Sequence, residues 1–491
     1  MKIPIAILWG IVQLKTSLFW LYLWQLKNYH TGRFIDHFRT KKGKSIFINP
    51  LYLLKILFLF IPFLGLALIA FEGIYNILKG KFIKPVFTKK IIFLFFFTIS
   101  LFAILFLKFK DSYFDLLLIN ILTPFVISFI VLLFQPLTVL LRSLILLKAK
   151  NKRKKLKNLK VIGITGSYGK SGTKEFLYEI LASKYKNVKK TKDNENSEMG
   201  ISKFILNTLS EKDEFFVCEM GAYNKGGIKL LCNIADPQIG ILTGINNQHL
   251  STFGSQENIV KTKFELVEYV KDFSIVNWDN FLIKKYAPKK TFKYSYLEKQ
   301  DIYAENIKVF KEHIEFDACL KTKERQTFKV NVLGRQNISN LLGAIFVAHK
   351  LGMNLKEITK GVGNIKQGHA GMTLENNIID ATYSGNANGV IAHLNFLKLW
   401  KGKRVIVMPC LIELQKESKR IHREIGEKIY EVCDLAIITT PDYLEELKEK
   451  GKEKIIYEKN PDKILEILKK YNHKEDIILL ESRVPSKIIK K

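Results

Sequence analysis

Cysteine and acidic residues are both scarce in this sequence, and each shortage limits what the protein can be. The 491 residues include five cysteines, none of them in a CxxC pair, which argues against a zinc or disulfide framework and favours a reduced, cytosolic compartment. Acidic residues number 46 against 78 Lys and Arg, a formal net charge of +32. This excess predicts an anionic neighbour (nucleic acid, a phosphorylated substrate or acidic lipid), unless an AT-rich genome has simply enriched Lys, Ile, Phe and Asn.

Charge is also missing from long stretches near the N-terminus. Residues 91–107 and 116–141 carry none, and residues 3–24 and 51–70 carry a single lysine each. Each run is close to the ~20 residues that cross the hydrocarbon of a bilayer, and several in succession argue against a cleaved signal peptide. We predict transmembrane helices with about four spans, or five if Gln135-Pro136 breaks the last run. Buried helices of a soluble protein are the alternative.

A glycine-rich loop follows the apolar region, where the pattern changes to α/β. The run GITGSYGKSGTK occupies residues 163–174. Residues 161–165, which overlap its start, read as a short strand, and residues 173–184, which overlap its end, read as an amphipathic helix. A strand, a glycine loop and a helix are the setting of a phosphate-binding P-loop. Gly166 and Gly169 allow backbone N–H groups to approach phosphate oxygens, and the helix start adds the positive end of its dipole.

The side chains around this loop suit a nucleotide and its metal ion. Lys170 can reach the β- and γ-phosphates, and Ser171 can offer its hydroxyl to Mg²⁺. Residues 214–219 read as a second strand that ends in Glu219, and a carboxylate at the end of a parallel strand beside a P-loop can hold Mg²⁺. Ile164 stands where a strict Walker A motif has its first glycine, so a chance glycine loop is the alternative for this stretch alone.

These residues and several later runs, taken in order, resemble the Mur ligases, and within them the branch that joins D-alanyl-D-alanine to a UDP-muramoyl tripeptide. The resemblance extends from Lys160 to the C-terminus. The matching runs are TKDNENSEMG at 191–200, EMGA at 219–222, HL and FGS within 249–255, GRQNISN at 334–340, DATYSGN at 380–386, and LIEL and HREIG within 411–426.

The sequence departs from the family pattern at several positions within these runs. Gly244 stands where Asn is usual, Gln336 replaces a His, and Cys410 replaces an Asp. No arginine is recognisable around residues 369–373, which puts one nucleotide or substrate contact in doubt. The remaining departures are Asp193, Ser197, Ala381, Thr382, Ser384, Gly385 and Ala387.

The resemblance implies a role for each matched position. The residues implied in ATP binding are Gly166, Ser167, Gly169, Lys170, Ser171, Gly172, Asn337, Asn340, Asp380 and Tyr383. Two Mg²⁺ ions are implied, the first held by Ser171 and Glu219 and the second by His249 and a carbamylated Lys263. Lys170, Lys263 and His249 are the implied catalytic residues, and Asn194, Asn196, Glu198 and Asn386 the implied substrate contacts. Taken alone, His249 would read as a hydrogen-bonded loop histidine and Lys263 as a solvated helix lysine.

The resemblance further implies a fold and a reaction. The fold is α/β, with N-terminal transmembrane helices over 1–150, a P-loop Mur-ligase central domain over 151–362 and a Rossmann-like C-terminal domain over 363–491. The reaction is ATP-dependent amide formation through an acyl phosphate, in peptidoglycan precursor synthesis. The implied partners are D-alanyl-D-alanine and a UDP-linked or lipid-presented muramoyl peptide. Mur ligases of this branch usually begin with a UDP-binding domain, and here apolar segments take its place.

Other functions and the location of the protein can be weighed from the same residues. A membrane-bound ligase that makes a γ-glutamyl polymer and a non-catalytic nucleotide-binding scaffold in the membrane are the alternatives. Nucleic acid is not an expected partner, because the basic run at residues 148–160 adjoins an apolar segment and no nucleic-acid-binding motif accompanies it. We expect this run to lie against anionic lipid head groups at the inner membrane, with the catalytic domains in the cytoplasm.

Overall fold

The structure is a computed structural model that describes residues 3–80, 82–193, 195–248, 250–369, 371–383, 385–412 and 414–489. Its contacts divide into two compact units, Met1–Ser143 and Leu144–Lys491. The described part of the first unit is helical. Its helices are α1 (Ile3–Leu26), α2 (Thr31–His37), α3 (Lys41–Phe47), α4 (Pro50–Leu57), α5 (Pro62–Lys79), α6 (Lys89–Phe109) and α7 (Tyr113–Leu133), followed by α8 (Gln135–Lys155), which continues into the second unit.

The first unit exposes many large apolar side chains on its surface, and its apolar interior also holds several polar side chains. Phe96 and Phe129 are 64% and 66% exposed. In the interior, the Lys55 ammonium pairs with a Glu72 carboxylate oxygen at 2.6 Å and donates to Asn120 Oδ1 at 2.8 Å. A bundle in water has the opposite arrangement. In a bilayer, the surface must be apolar, and polar groups must find their hydrogen-bond partners inside the protein.

Five segments of the described chain are long and apolar enough to cross a membrane. They are Pro4–Leu26, Gly43–Phe60, Pro62–Lys79, Lys89–Phe109 and Tyr113–Lys155. The sequence predicted five spans only if the last run were divided at Gln135-Pro136, whereas here Tyr113–Lys155 counts as one segment and residues 43–79 supply two.

The prediction of one span over residues 51–70 is wrong, because the helix there is interrupted. Helix α4 is followed by a 3-10 turn at Phe58–Phe60, and α5 begins at Pro62. Proline disfavours helical geometry in the residue before it, and Ile61 accordingly has φ −135° and ψ 72°. The predicted break near Gln135-Pro136 is present, since α7 ends at Leu133 and α8 begins at Gln135.

The last turns of α8 belong to the second unit and pack within it. Ala149 is fully buried in its core. The Arg153 side chain is buried and donates to four backbone carbonyls, those of Ala235, Leu156, Leu159 and Asp236, at 2.9, 2.9, 3.0 and 3.3 Å. Lys152 donates to the Leu206 carbonyl at 2.8 Å. The expectation that the basic run faces lipid is therefore wrong for Arg153 and Lys152, which bind the protein instead.

We expect Arg153→Ala to lower the free energy of unfolding of the second unit by about 2–3 kcal/mol, because buried carbonyls lose a charged donor. The change should appear as a lower melting temperature of the full-length protein in detergent. Lys154→Ala is the matched control, since Lys154 is the exposed neighbour of Arg153. Equal melting temperatures for the two variants would contradict the role of Arg153.

The second unit is built on two sheets. The first has nine strands in the order β2-β3-β1-β4-β5-β6-β7-β8-β9, parallel up to β7 and antiparallel from there to β9. Its strands are β1 (Lys160–Thr165), β2 (Val188–Lys190), β3 (Phe215–Glu219), β4 (Ile239–Leu242), β5 (Phe273–Asn277), β6 (Phe292–Ser295), β7 (Ile302–Val309), β8 (Ile314–Leu320) and β9 (Arg325–Val330). Its helices are α9 (Lys170–Ala182), α10 (Glu198–Asn207), α11 (Gly227–Ala235), α12 (Leu250–Phe253), α13 (Gln256–Tyr269), α14 (Phe281–Tyr286), α15 (Gln336–Lys350) and α16 (Leu355–Val362).

The second sheet has six strands in the order β10-β11-β15-β12-β13-β14, all parallel except β10. Its strands are β10 (Thr373–Glu375), β11 (Ile378–Ala381), β12 (Arg404–Met408), β13 (Leu435–Ile438), β14 (Ile455–Tyr457) and β15 (Ile477–Glu481). Its helices are α17 (Ala387–Leu397), α18 (Ser418–Val432), α19 (Leu444–Lys448), α20 (Pro461–Leu468) and α21 (Ser486–Ile489), with 3-10 turns at Gln415–Glu417 and Lys452–Lys454. Together the two sheets make the mixed α/β fold that the sequence predicted.

The register of the first sheet determines where the polar side chains meet. The predicted strand, helix and second strand around the glycine loop are present as β1, α9 and β3. Strand β1 pairs in parallel with β3 and β4, with Ile164 opposite Glu219 and Thr165 opposite Leu242. The loop after β1 and the carboxylate that ends β3 therefore lie at the same edge of the sheet.

Candidate functional site

The glycine loop between β1 and α9 is too tight for side chains at two positions. A Cβ at Gly166 would lie 2.1 Å from the Thr243 hydroxyl oxygen. Gly169 has φ +80°, and a Cβ there would lie 2.5 Å from Asn340 Oδ1. Left-handed backbone and close approach both favour glycine. The loop leads directly into α9, which begins at Lys170. The first turn of this helix presents backbone N–H groups to an anion.

The Lys170 ammonium lies back over this loop. Its Nζ donates to the Gly166 carbonyl at 2.9 Å. Burial lowers the pKa of Lys170, and the carboxylate of Glu219 offsets part of that change. A second, longer contact joins Nζ to the Ser167 carbonyl at 3.5 Å. Because both contacts are with carbonyls of the same loop, the ammonium can turn toward a phosphate oxygen at little cost.

Glu219 is a buried carboxylate with an ordered set of partners. It is 3% exposed. Its Oε2 accepts from the Ser171 hydroxyl at 2.9 Å, and its Oε1 accepts from the Asn196 amide at 2.8 Å. Hard oxygen ligands beside a phosphate site are the donors that Mg²⁺ prefers. The Ser171 and Glu219 oxygens therefore fit a magnesium ion.

Lys174 is a part of this site that the sequence reasoning missed. It has no exposed surface, and its Nζ lies 3.2 Å from Glu175, 3.3 Å from Asp193 and 3.7 Å from Glu219. Burial lowers its pKa, but the three carboxylates outweigh burial and raise it. The lysine that ends GKSGTK was the available signal, and Asp193, one of the departures from the family pattern, is its partner.

Lys263 lies on α13 and faces the same small cavity as Lys170. The cavity is lined by Gly166, Ser167, Lys170, Asn196, Gly221, Ala222, Tyr223, Gln248, Phe253 and Lys263. Lys263 is 4% exposed. Burial lowers its pKa to about 7, and the charge of Lys170 contributes in the same direction. A large fraction of this amine is therefore neutral near pH 7, which is unusual for lysine.

Tyr168 explains why Gly244 is not the usual Asn. A Cβ at Gly244 would lie 2.3 Å from the Tyr168 ring. The Tyr168 hydroxyl accepts from the Asn280 amide at 3.0 Å, and the Thr243 hydroxyl donates to the Tyr168 carbonyl at 2.5 Å. The aromatic ring thus takes the space of the missing side chain. Tyr168, Thr243 and Asn280 belong to the site, although no motif in the sequence singled them out.

The structure brings other predicted residues to the glycine loop. Asn340 adjoins Gly169, and Asn337, on the same helix, is buried and donates to the Leu333 carbonyl at 2.8 Å. Ser167 contacts Asn246 through its hydroxyl. Gly172 is buried in the first turn of α9.

Predicted residues from the second sheet reach the loop to different extents. Burial raises the pKa of Tyr383, and the Ser171 hydroxyl acts in the opposite direction. Asn386 caps α17 and approaches Asn246 at 3.5 Å. Asp380 accepts hydrogen bonds from the backbone and hydroxyl of Thr382, two residues on.

The roles of three further predicted residues stay predictions. Glu198 lies in the first turn of α10. His249 and Asn194 fall outside the described residues, so the second metal site and one substrate contact remain predictions.

Comparison with known proteins relates this site to a family. Residues 164–348 match the Mur ligase middle domain. The chain is 31% identical over 282 residues to a UDP-N-acetylmuramoyl-tripeptide–D-alanyl-D-alanine ligase of Synechocystis. The aligned region covers 55% of this chain and 59% of that protein. The chain thus spans about three fifths of the length of the curated relatives that it matches.

Solved structures agree with this relationship. MurF ligase from Thermotoga maritima in complex with ADP superposes with a TM-score of 0.61 at 26% identity, over 70% of this chain and 82% of that one. MurF from Acinetobacter baumannii has a TM-score of 0.64 at 21% identity, over 71% and 79% of the two chains, which shows the shared fold. The resemblance drawn from the sequence motifs is confirmed.

Proposed function

We propose that this chain, a homologue of MurF ligases that carries a Mur ligase middle domain, is an ATP-dependent ligase that joins D-alanyl-D-alanine to a UDP-muramoyl tripeptide. The observation that carries the proposal is the convergence of Lys170 and Lys263 on one cavity beside Glu219. A phosphate cradle, a carboxylate suited to Mg²⁺ and a second lysine of unusual pKa form a more specific set than a nucleotide pocket alone.

The reaction follows from what these side chains can do. A carboxylate oxygen of the tripeptide attacks the γ-phosphorus of ATP, the bond to the β-phosphate oxygen breaks, and ADP leaves. The dipeptide amine then attacks the carbonyl carbon of the acyl phosphate, loses a proton, and expels inorganic phosphate. Lys170 offsets negative charge on the transferred phosphoryl group, which makes positioning and charge neutralisation the main contributions of the protein.

The residues assigned to metal ions have distinct chemistry. Ser171 and Glu219 would hold one Mg²⁺, and His249 with a carbamylated Lys263 would hold another. Bound Mg²⁺ neutralises phosphate charge and orients the oxygens. Carbamylation needs a neutral amine, and the lowered pKa of Lys263 supplies one near pH 7. The carbamate would turn a buried cation into an anionic oxygen ligand.

The remaining assignments follow the positions of the side chains where the structure describes them, and the family resemblance elsewhere. Asn340 and Tyr383 adjoin the glycine loop and are assigned to the nucleotide together with Gly166, Ser167, Gly169 and Gly172, with Asn337 and Asp380 in support. Asn196 orients Glu219 and lines the cavity on the acceptor side. Asn194, Glu198 and Asn386 are assigned to the acceptor and the amine.

We further propose that the same chemistry takes place at a membrane. The outward aromatic surface of the apolar helices and their internal Lys55–Glu72 pair suit a multi-pass protein of the cytoplasmic membrane, with residues 151–362 and 363–491 as cytoplasmic domains. A ligase held there can use a UDP-linked acceptor or one presented on a lipid. The exposed lysines of residues 148–160 can still contact anionic head groups.

The substrate pair is tested by phosphate release from ATP with the full-length protein in detergent. We expect turnover that requires both UDP-muramoyl tripeptide and D-alanyl-D-alanine, because only the two together complete the reaction. Glutamate replaces the dipeptide in a parallel reaction. Turnover with glutamate alone would favour a γ-glutamyl polymer ligase, and nucleotide binding without turnover under any of these conditions would favour a scaffold.

A further inference from the structure

Lys174 is a buried cation beside the carboxylate assigned to magnesium, and the proposed reaction gives it no role. Its side chain, on α9, has no exposed surface. Its Nζ lies 3.2 Å from Glu175 Oε1 and 3.3 Å from Asp193 Oδ1, but 3.7 Å from Glu219 Oε2. A buried charge is costly unless it is paired. The two nearer carboxylates provide the direct pairing, and Glu219 lies beyond hydrogen-bond distance.

The Glu219 oxygen nearest to Lys174 is the one that suits the metal ion. Glu219 Oε2 accepts from the Ser171 hydroxyl at 2.9 Å, whereas Oε1 accepts from the Asn196 amide at 2.8 Å. Because Ser171 and Glu219 are the residues assigned to the first Mg²⁺, Oε2 is the oxygen that faces their shared site. An ammonium within hydrogen-bond distance of Oε2 would compete for this oxygen and repel the charge of the ion. The affinity for Mg²⁺ therefore depends on where Lys174 is held.

Asp193 is the carboxylate best able to hold Lys174 away from Glu219. Glu175 is shared, because its other oxygen pairs with Lys190. Asp193 has Lys174 as its one partner among the described hydrogen bonds and ion pairs. The Asp193 side chain is 69% exposed, so a change there leaves the core of the unit intact. Asp193 is also a departure from the family pattern, which makes this contact a property of the present chain.

We propose that Asp193 is a positioning residue that holds the Lys174 ammonium away from Glu219 Oε2 and thereby sets the affinity of the site for Mg²⁺. Asp193 acts through Lys174, and Lys174 acts through Glu219, so neither contacts the nucleotide or the acceptor. The proposal rests on the assignment of Ser171 and Glu219 to Mg²⁺ in the proposed function. It adds a determinant of metal affinity that lies outside the set of metal ligands.

The Mg²⁺ dependence of ADP binding tests this proposal. ADP is titrated calorimetrically into the full-length protein in detergent at several fixed concentrations of free Mg²⁺. The quantity compared among variants is the Mg²⁺ concentration that gives half of the maximal gain in ADP affinity. We expect Asp193→Asn to raise this concentration about five- to tenfold, because an attractive charge is lost beside a buried cation. Asp193→Glu, which keeps the charge, should stay within about twofold of the wild type.

The rate of the reaction gives a second measurement. In Asp193→Asn, kcat for phosphate release with both substrates should return to the wild-type value when Mg²⁺ is saturating, because no group that contacts the substrates has changed. A general structural defect would lower kcat at every Mg²⁺ concentration.

A double-mutant cycle separates action through Lys174 from direct binding of the ion by Asp193. In a Lys174→Met background, Asp193→Asn should change the half-saturating Mg²⁺ concentration by less than about twofold, because coupled residues are not additive. A full effect of Asp193→Asn without Lys174 would overturn the indirect role. Melting temperatures show which variants fold, and the exposed Asp193 variants carry the comparison if Lys174→Met does not.

Asp272→Asn is the matched control, because Asp272 pairs with Lys160 at 3.2 Å, at the opposite end of β1 from the site. It should leave the half-saturating Mg²⁺ concentration unchanged. The same concentration in Asp193→Asn as in the wild type, or a kcat that stays low at saturating Mg²⁺, would overturn the positioning role alone. Failure of the wild type to bind ADP, or binding that does not respond to Mg²⁺, would overturn the proposed function and this inference with it.

Discussion

Lys170→Ala should reduce ATP-dependent ligation by about 10²–10³-fold or more, since loss of one charged group aimed at a transferring phosphoryl group has effects of that size. The variant should remain folded. Lys170 Nζ contacts the Gly166 carbonyl of its own loop, so its removal opens no gap between elements of the core. Phosphate release with both substrates measures the activity, and the melting temperature measures the fold.

Lys203→Ala provides the comparison for this variant. Lys203 is an exposed lysine on α10, remote in sequence from the loop. We expect it to retain wild-type activity and stability. Full activity of Lys170→Ala in the same assay would remove the basis for a P-loop at Gly166–Lys170.

Lys263→Ala is expected to lose about 10²–10³-fold in activity, and acetate or propionate in the assay should restore part of it. The reason is chemical. If the working group is a carbamate, a small carboxylate that enters the vacated space supplies similar oxygen atoms to the metal ion. An ordinary lysine is neutral in roughly one molecule in 2,500 at pH 7, whereas the pKa of Lys263 is lowered to about 7.

The lowered pKa of Lys263 also predicts the direction in which the activity of the wild type changes with pH. As the pH falls through 7, Lys263 becomes protonated and can no longer form a carbamate. Activity should therefore decline below pH 7, and added bicarbonate should oppose the decline. Lys261→Ala is the control on the same helix, because Lys261 is exposed and pairs only with Glu257 among the described contacts. Wild-type activity in Lys263→Ala would exclude carbamylation as a working feature.

The sequence predicted which residues gather around the glycine loop because strand ends and glycine loops leave local signals. Glu219 was found from an acidic residue at the end of an apolar strand, and its hydrogen bond to Ser171 follows from the parallel register of β1 and β3. Lys263 was found only from its distance to a family motif, and no local pattern would have separated it from Lys261, the other lysine of α13.

Features that depend on contacts across the chain were not predictable in the same way. The ring of Tyr168 occupies the space at Gly244, 76 positions away in the sequence. The sequence around neither residue indicates that the two are in contact. Arg153 lies in a run of basic residues that the sequence pattern does not distinguish from one another, yet its side chain is buried. The break before Pro62 could have been predicted from the proline itself, but hydropathy alone joined the two helices into one span.

The packing of α8 has a practical consequence for the study of the second unit by itself. A fragment that begins at Lys160, where the family resemblance begins, would lack Arg153 and Ala149 and would leave the carbonyls at the end of α11 without their donor. A fragment that begins at Leu144 keeps this helical segment, which covers part of the unit's own core. Limited proteolysis should accordingly release a stable product that retains the final turns of α8, and that product is the natural choice for crystallisation without detergent.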